Sequence, residues 1–156
     1  MHQPALAIPV LEIELHADGS LDNSLNIGTG IAGAVNSIDL YPDGRIFLAG
    51  NFTQYNGAGR NRVARIAGDG TLDTLFNPAL FTAYPSISGA NGAVFTSILQ
   101  SDGRIIIGGT FDKYNNVFRR SIVRLEADGS IDPTFVVGLG KWLAARQAAK
   151  HTGASS

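Results

Sequence analysis

The chain has 156 residues, 44% of them hydrophobic and 16% charged, with a net charge of −1. That is long enough to bury a sizeable core, and too nearly neutral to call for a nucleic-acid or other polyanionic partner. With no Cys, disulfides and thiolate metal sites are excluded, and no apolar run approaches the ~18 residues of a membrane-crossing helix, so no membrane partner is expected.

Taken in chain order, residues 1–9 form an N-terminal arm. Met1-His2-Gln3-Pro4 carries no Lys or Arg, and the apolar stretch Ala5–Leu11 is short and broken by Pro9. This makes a poor signal peptide. The expectation is a cytosolic protein, a fragment of a larger one, or a virion component made in a host cytosol.

Residues 10–137 read as a β-repeat domain, with units at about 10–33, 34–92 and 93–137. Setting Ala34–Phe76 against Ala93–Phe135, an offset of 59 without gaps, gives 17 identities in 43 positions. They include Asp43/Asp102, Gly44/Gly103, Arg45/Arg104, Phe52/Phe111, Tyr55/Tyr114, Arg65/Arg124, Asp73/Asp132 and Phe76/Phe135. Such self-similarity is the mark of a repeat architecture. The first unit is partial. Glu12–Asn26 matches the end of the repeat at an offset of 51, with Asp18, Gly19, Leu21 and Asp22 falling on Asp69, Gly70, Leu72 and Asp73.

Within a full unit, Ala34–Tyr41 and Arg45–Gly50 flank Pro42-Asp43-Gly44, an apolar run, an Asp-Gly pair and a second apolar run, which is a strong hairpin signal. The second copy is Val94–Gln100, Asp102-Gly103 and Arg104–Ile107, rich in the β-branched residues that strands favour. A long loop, Asn51–Asn61, then leads to a third strand at Arg62–Ala67 and, after Gly68-Asp69-Gly70, to a short fourth segment at Thr71–Phe76. Five Asp-Gly pairs therefore mark five turns, in which Gly supplies a positive φ and Asp caps the turn. Pro78–Asn91 is the main irregular insertion. The fold class that follows is all-β, with antiparallel propeller-like blades.

The motif V-x-x-x-x-L-x-x-D-G-R-I, continuing through G-x-F-x-x-Y-N to R-x-x-x-D-G-x-x-D-x-x-F, resembles the delta-60 repeat of β-propeller-like proteins. The resemblance covers roughly residues 10–137 and supplies no catalytic residues. It implies large bacterial surface or secreted proteins, and phage structural proteins. A closed propeller takes ~4–8 blades of four strands. Two full units and a partial one cannot close a ring alone, so a homo-oligomer is expected, with a trimer the leading form.

No constellation of an enzyme is present. His2, His16 and His151 have no metal-pair spacing, there is no G-x-S-x-G, and Gly28–Gly33 reads G-x-G-x-x-G without a βαβ context. Neither a metal nor another cofactor is implied. Arg65 with Asp73, and Arg124 with Asp132, read as structural ion pairs across the third turn. Phe52, Tyr55, Asn56, Phe111, Tyr114 and Asn115 recur in the long loop. Their plain reading is a small core under that loop. Their functional reading is a glycan-stacking platform, with rings and amides side by side.

Residues 138–156 break the β pattern. Lys141–His151 is Ala-rich and free of Gly and Pro, and it reads as a short helix or arm. Trp142, Leu143 and Arg146 are the candidates for docking onto a partner or a neighbouring subunit. The function expected is thus a non-enzymatic structural or assembly protein acting through protein–protein contacts, with a virion component (a capsid decoration or tail protein) its most concrete form. The alternative is a glycan- or surface-binding adhesion module of a bacterial surface or secreted protein.

Overall fold

The structure, a computed structural model, describes residues 17–20, 24–77 and 88–136. The N-terminal arm, most of the Pro78–Asn91 insertion and the 138–156 tail with Trp142, Leu143 and Arg146 lie outside them.

The described residues form two stacked antiparallel blades. In the first, β1 (Ile31–Leu40) pairs with β2 (Ile46–Tyr55), which pairs in turn with β4 (Val63–Ile66); β3 (Ala58–Gly59) folds back on the end of β2. In the second, β5 (Val94–Leu99) pairs with β6 (Ile105–Gly109) and β6 with β9 (Ile122–Leu125), while β7 (Lys113–Tyr114) and β8 (Val117–Phe118) make a separate ribbon.

The Asp-Gly turns share one geometry. Gly44 N donates to Tyr41 O at 3.0 Å and Tyr41 N to Arg45 O at 2.9 Å, while Asp43 Oδ1 accepts from Arg45 N at 3.0 Å. The turns ending at Gly70, Gly103 and Gly129 repeat this pattern. The glycine of each sits at φ 88–94°, so these are three-residue loops closed by a left-handed residue.

Two expectations change. The long loop is a second hairpin: Asn56 (φ 48°) and Gly57 (φ 81°) in one unit, and Asn115 (φ 49°) and Asn116 (φ 63°) in the other, make tight turns with two left-handed residues. The fourth segment is a single bridge in each unit, Ile66 with Leu72 and Leu125 with Ile131. It ends there because Asp73 Oδ1 accepts from Leu75 N at 3.0 Å and Asp132 Oδ1 from Thr134 N at 2.9 Å, turning the chain out of the sheet.

Each blade has two faces, since alternate residues point opposite ways. Phe47, Ala49 and Val63 of the first blade join Val94, Ile105, Ile107, Val123 and Leu125 of the second in one core. The other face of the first blade (Ile46, Leu48, Phe52, Tyr55, Ala64 and Ile66) packs on Leu25 and Ile27.

Candidate interaction surface

The recurring ion pairs sit where the third strand meets its turn. Arg65 Nε donates to Asp73 Oδ2 at 2.7 Å, and Arg124 Nε to Asp132 Oδ2 at 2.7 Å. Arg65 also reaches across to the second blade, donating to Ala127 O at 2.5 Å, and lies over the Phe76 ring at 4.6 Å. Asp132 accepts from Thr134 Oγ1 at 2.6 Å and from Arg104 at 3.2 Å as well. The Thr134 hydroxyl, with Arg124, holds the Asp132 carboxyl down to about 2.

The glycan-platform reading is corrected. Phe52, Tyr55, Phe111 and Tyr114 are buried, with no ring face open for stacking. They are the core under the second hairpin. Tyr55 OH donates to Gly70 O at 2.5 Å and Tyr114 OH to Gly129 O at 2.9 Å, tying that hairpin to the turn after the third strand. Burial pushes the Tyr55 hydroxyl up to about 12 and that of Tyr114 further still. Asn115 exchanges two amide hydrogen bonds with Asn77, at 2.9 and 2.8 Å, and accepts from Gly89 N at 2.7 Å. Exposed Asn56 accepts from Thr29 N at 3.0 Å.

These contacts reveal how one unit grips the next. Asn77 N donates to Asp128 O at 2.6 Å, and Asn26 N to Asp69 O at 2.8 Å. Asn115 N donates to Gly89 O at 2.8 Å, and Asn56 N to Gly30 O at 2.7 Å. Residues 24–30 therefore dock on the first blade as residues 77 and 88–90 dock on the second. The inner strands add a polar clasp: Asn36 Nδ2 donates to Val94 O at 2.8 Å, Ser37 Oγ lies 2.7 Å from Ser97 Oγ, and Ser97 Oγ donates to Asp39.

The outward face of the second blade carries the same positions with different chemistry. One repeat on, Asn36, Ser37, Asp39 and Asn77 become Phe95, Thr96, Ile98 and Val136. Phe95 is 56% exposed, Ile98 59% and Val136 64%. Ile106, Ile122 and Phe135, which stand in the places of buried Phe47, Val63 and Phe76, are half-buried. Reading the repeat for its identities misses this surface. The signal lay in the positions where the copies differ.

A family model for a β-propeller domain of unknown function, DUF5122, matches residues 42–76 and 100–135, just under half of the chain. The units are β-propeller-like repeats. No curated protein and no solved structure matches the chain. Among the described residues, no three His, Asp or Glu side chains converge as a metal site requires.

Proposed function

We propose that this protein is a non-enzymatic interaction module that works through protein–protein contacts made by the outward face of its second propeller-like unit. One observation carries the reading: three large apolar side chains stand exposed where the first unit uses polar groups to hold its neighbour. Contiguous exposed apolar surface on a folded domain is characteristic of association sites. The proposal includes repeats of the delta-60 type, no cofactor, self-assembly with a trimer as its leading form, and a role as a phage capsid decoration or tail protein located in the virion.

A glycan-binding adhesion role at a bacterial surface is the second reading. With the rings buried, its remaining support is the polar groove lined by Asn26, Asn56, Asp69 and Thr71.

The test places a photo-crosslinking amino acid at Phe95 or, as a control, at exposed Leu75, with expression in the source organism and a glycan array run alongside. The reading expects protein adducts at Phe95 and none at Leu75. Equal adducts at both positions, or none at either, would overturn it, as would glycan binding lost in Asn56→Ala.

A further inference from the structure

The contact between the two blades shows what would sit on the exposed residues of β1 and β5. In that contact Ser97 of β5 rests against Ser37 and Asp39 of β1, three polar residues meeting one another. The 59-residue register says which residues occupy the same places at the two outward ends. Toward the C-terminus, Ser37 and Asp39 are replaced by Thr96 and Ile98. Toward the N-terminus, Ser97 is replaced by Ile38. One residue on each side of the contact has thus changed from polar to apolar, Asp39 to Ile98 and Ser97 to Ile38, while Thr96 keeps the hydroxyl of Ser37. Beside them, Leu99 is packed against the shared core, while Leu40 in the same place on the first blade is 66% exposed. Ile38 and Leu40 share a face with Leu48 and Ile46, their cross-strand partners. Ile98 shares the opposite, outward face with Ile106.

We infer that a second copy of this chain docks head to tail on these strands, Phe95 and Ile98 of one copy meeting Ile38 and Leu40 of the next. Among the described residues, each copy then offers one exposed apolar stretch of strand in each direction, Ile38 and Leu40 on one side and Phe95 and Ile98 on the other. An isolated blade edge of this kind could recruit any apolar partner. The matched change at the two ends favours a second copy, because Ile38 supplies the apolar counterpart that Ile98 needs. The copy approaches by the inner strand alone. Residues 24–30 already hold the outer half of that face, with Ile27 packed among Leu48, Phe52 and Tyr55. A head-to-tail contact is heterologous: it closes into a ring when its rotation divides the circle and otherwise grows into a filament. The inference rests on the proposal that the protein works by protein–protein contact, and it specifies the partner.

The absence of native Cys allows a direct test. Ile38→Cys and Ile98→Cys are made singly and together in the full chain. Under mild oxidation the mixed single variants should give a disulfide-linked dimer that neither gives alone, and the double variant should give a ladder or a closed ring. Light scattering on the unmodified chain should show a mass above one chain that rises with concentration. Ile98→Asp and Leu40→Asp should each return it to one chain, and Leu75→Asp should not. A single-chain mass at the highest soluble concentration would overturn the inference. So would Ile98→Cys linking to itself as readily as to Ile38→Cys, which marks a two-fold dimer. Protein adducts at Phe95 in the crosslinking experiment, without self-association, would leave the reading as a protein–protein interaction module standing, and would remove this inference together with the self-assembly part of that reading.

Discussion

Replacing Tyr114 with Phe isolates a single hydrogen bond between two levels of the blade. Tyr114 is buried, and its hydroxyl donates to Gly129 O at 2.9 Å. The substitution keeps the ring and its packing in the core, so only the hydroxyl is lost. The bond itself is worth about 1 kcal/mol net, and the carbonyl of buried Gly129 loses the donor it had, which brings the cost to about 1.5–2 kcal/mol. For a domain of this length each kcal/mol lowers the melting temperature by roughly 2–4 °C, so Tyr114→Phe should melt about 3–8 °C lower. Calorimetry gives the shift directly. Chemical denaturation should show a lower midpoint with an unchanged slope, as expected when stability alone changes. The repeat supplies an internal control, because Tyr55 OH donates to Gly70 O in the same way. Tyr55→Phe should cost the same within about 0.5 kcal/mol, and the double variant should show the sum. A melting temperature within about 1 °C of the parent for both single variants would refute the claim that these hydroxyls tie the second hairpin to the third turn.

Other outcomes follow from the same geometry. Raised values for Tyr41, Tyr55 and Tyr114 mean that the folded state holds these phenols neutral, so their contribution is complete below about 10 and is lost as pH rises through about 12 for Tyr55. An absorbance titration should therefore show phenolate appearing together with unfolding. The depressed Asp132 carboxyl works in the opposite sense: its contribution is present above about 4 and is lost as pH falls through about 2. Asp132→Asn should flatten that part of the acid melting profile. Gly50→Ala and Gly109→Ala place a Cβ against Ala34 O and Ala93 O respectively. Each should lower stability by ~1–3 kcal/mol in denaturant titrations, since the obstacle is backbone. Arg65→Lys should cost more than Arg124→Lys, by about 1 kcal/mol in the same assay, because the Arg65 guanidinium bridges Asp73 and the Ala127 carbonyl of the other blade in a buried place that Lys cannot fork to fill.

Much of the fold can be read from the chain alone, because its signals are local. A turn needs Gly in a left-handed conformation and a side chain to accept the next free N–H, and Asp-Gly supplies both within two residues. That is why Gly44, Gly70, Gly103 and Gly129 are legible as turns. The repeat fixes the order of strands, and Arg65 with Asp73 is legible as a pair because the turn between them is short. Asn56-Gly57 carries an equally local hairpin signal, obscured by the polar loop composition around it. The tertiary structure alone decides which side of each strand faces what. Tyr55 and Tyr114 read alike as a core or as an open platform, since an aromatic ring between polar neighbours suits both. Burial resolves the choice by closing the second hairpin over them. Asp39 and Ile98 look like ordinary drift between repeats until packing shows that one clasps a neighbouring blade and the other faces outward. The sequence by itself determines the strands, the turns and the repeat, all governed by neighbours along the chain. Which face of the second blade is left exposed depends on contacts some 60 residues apart, such as Ser37 with Ser97, and only the stacking of one blade on the other brings those together.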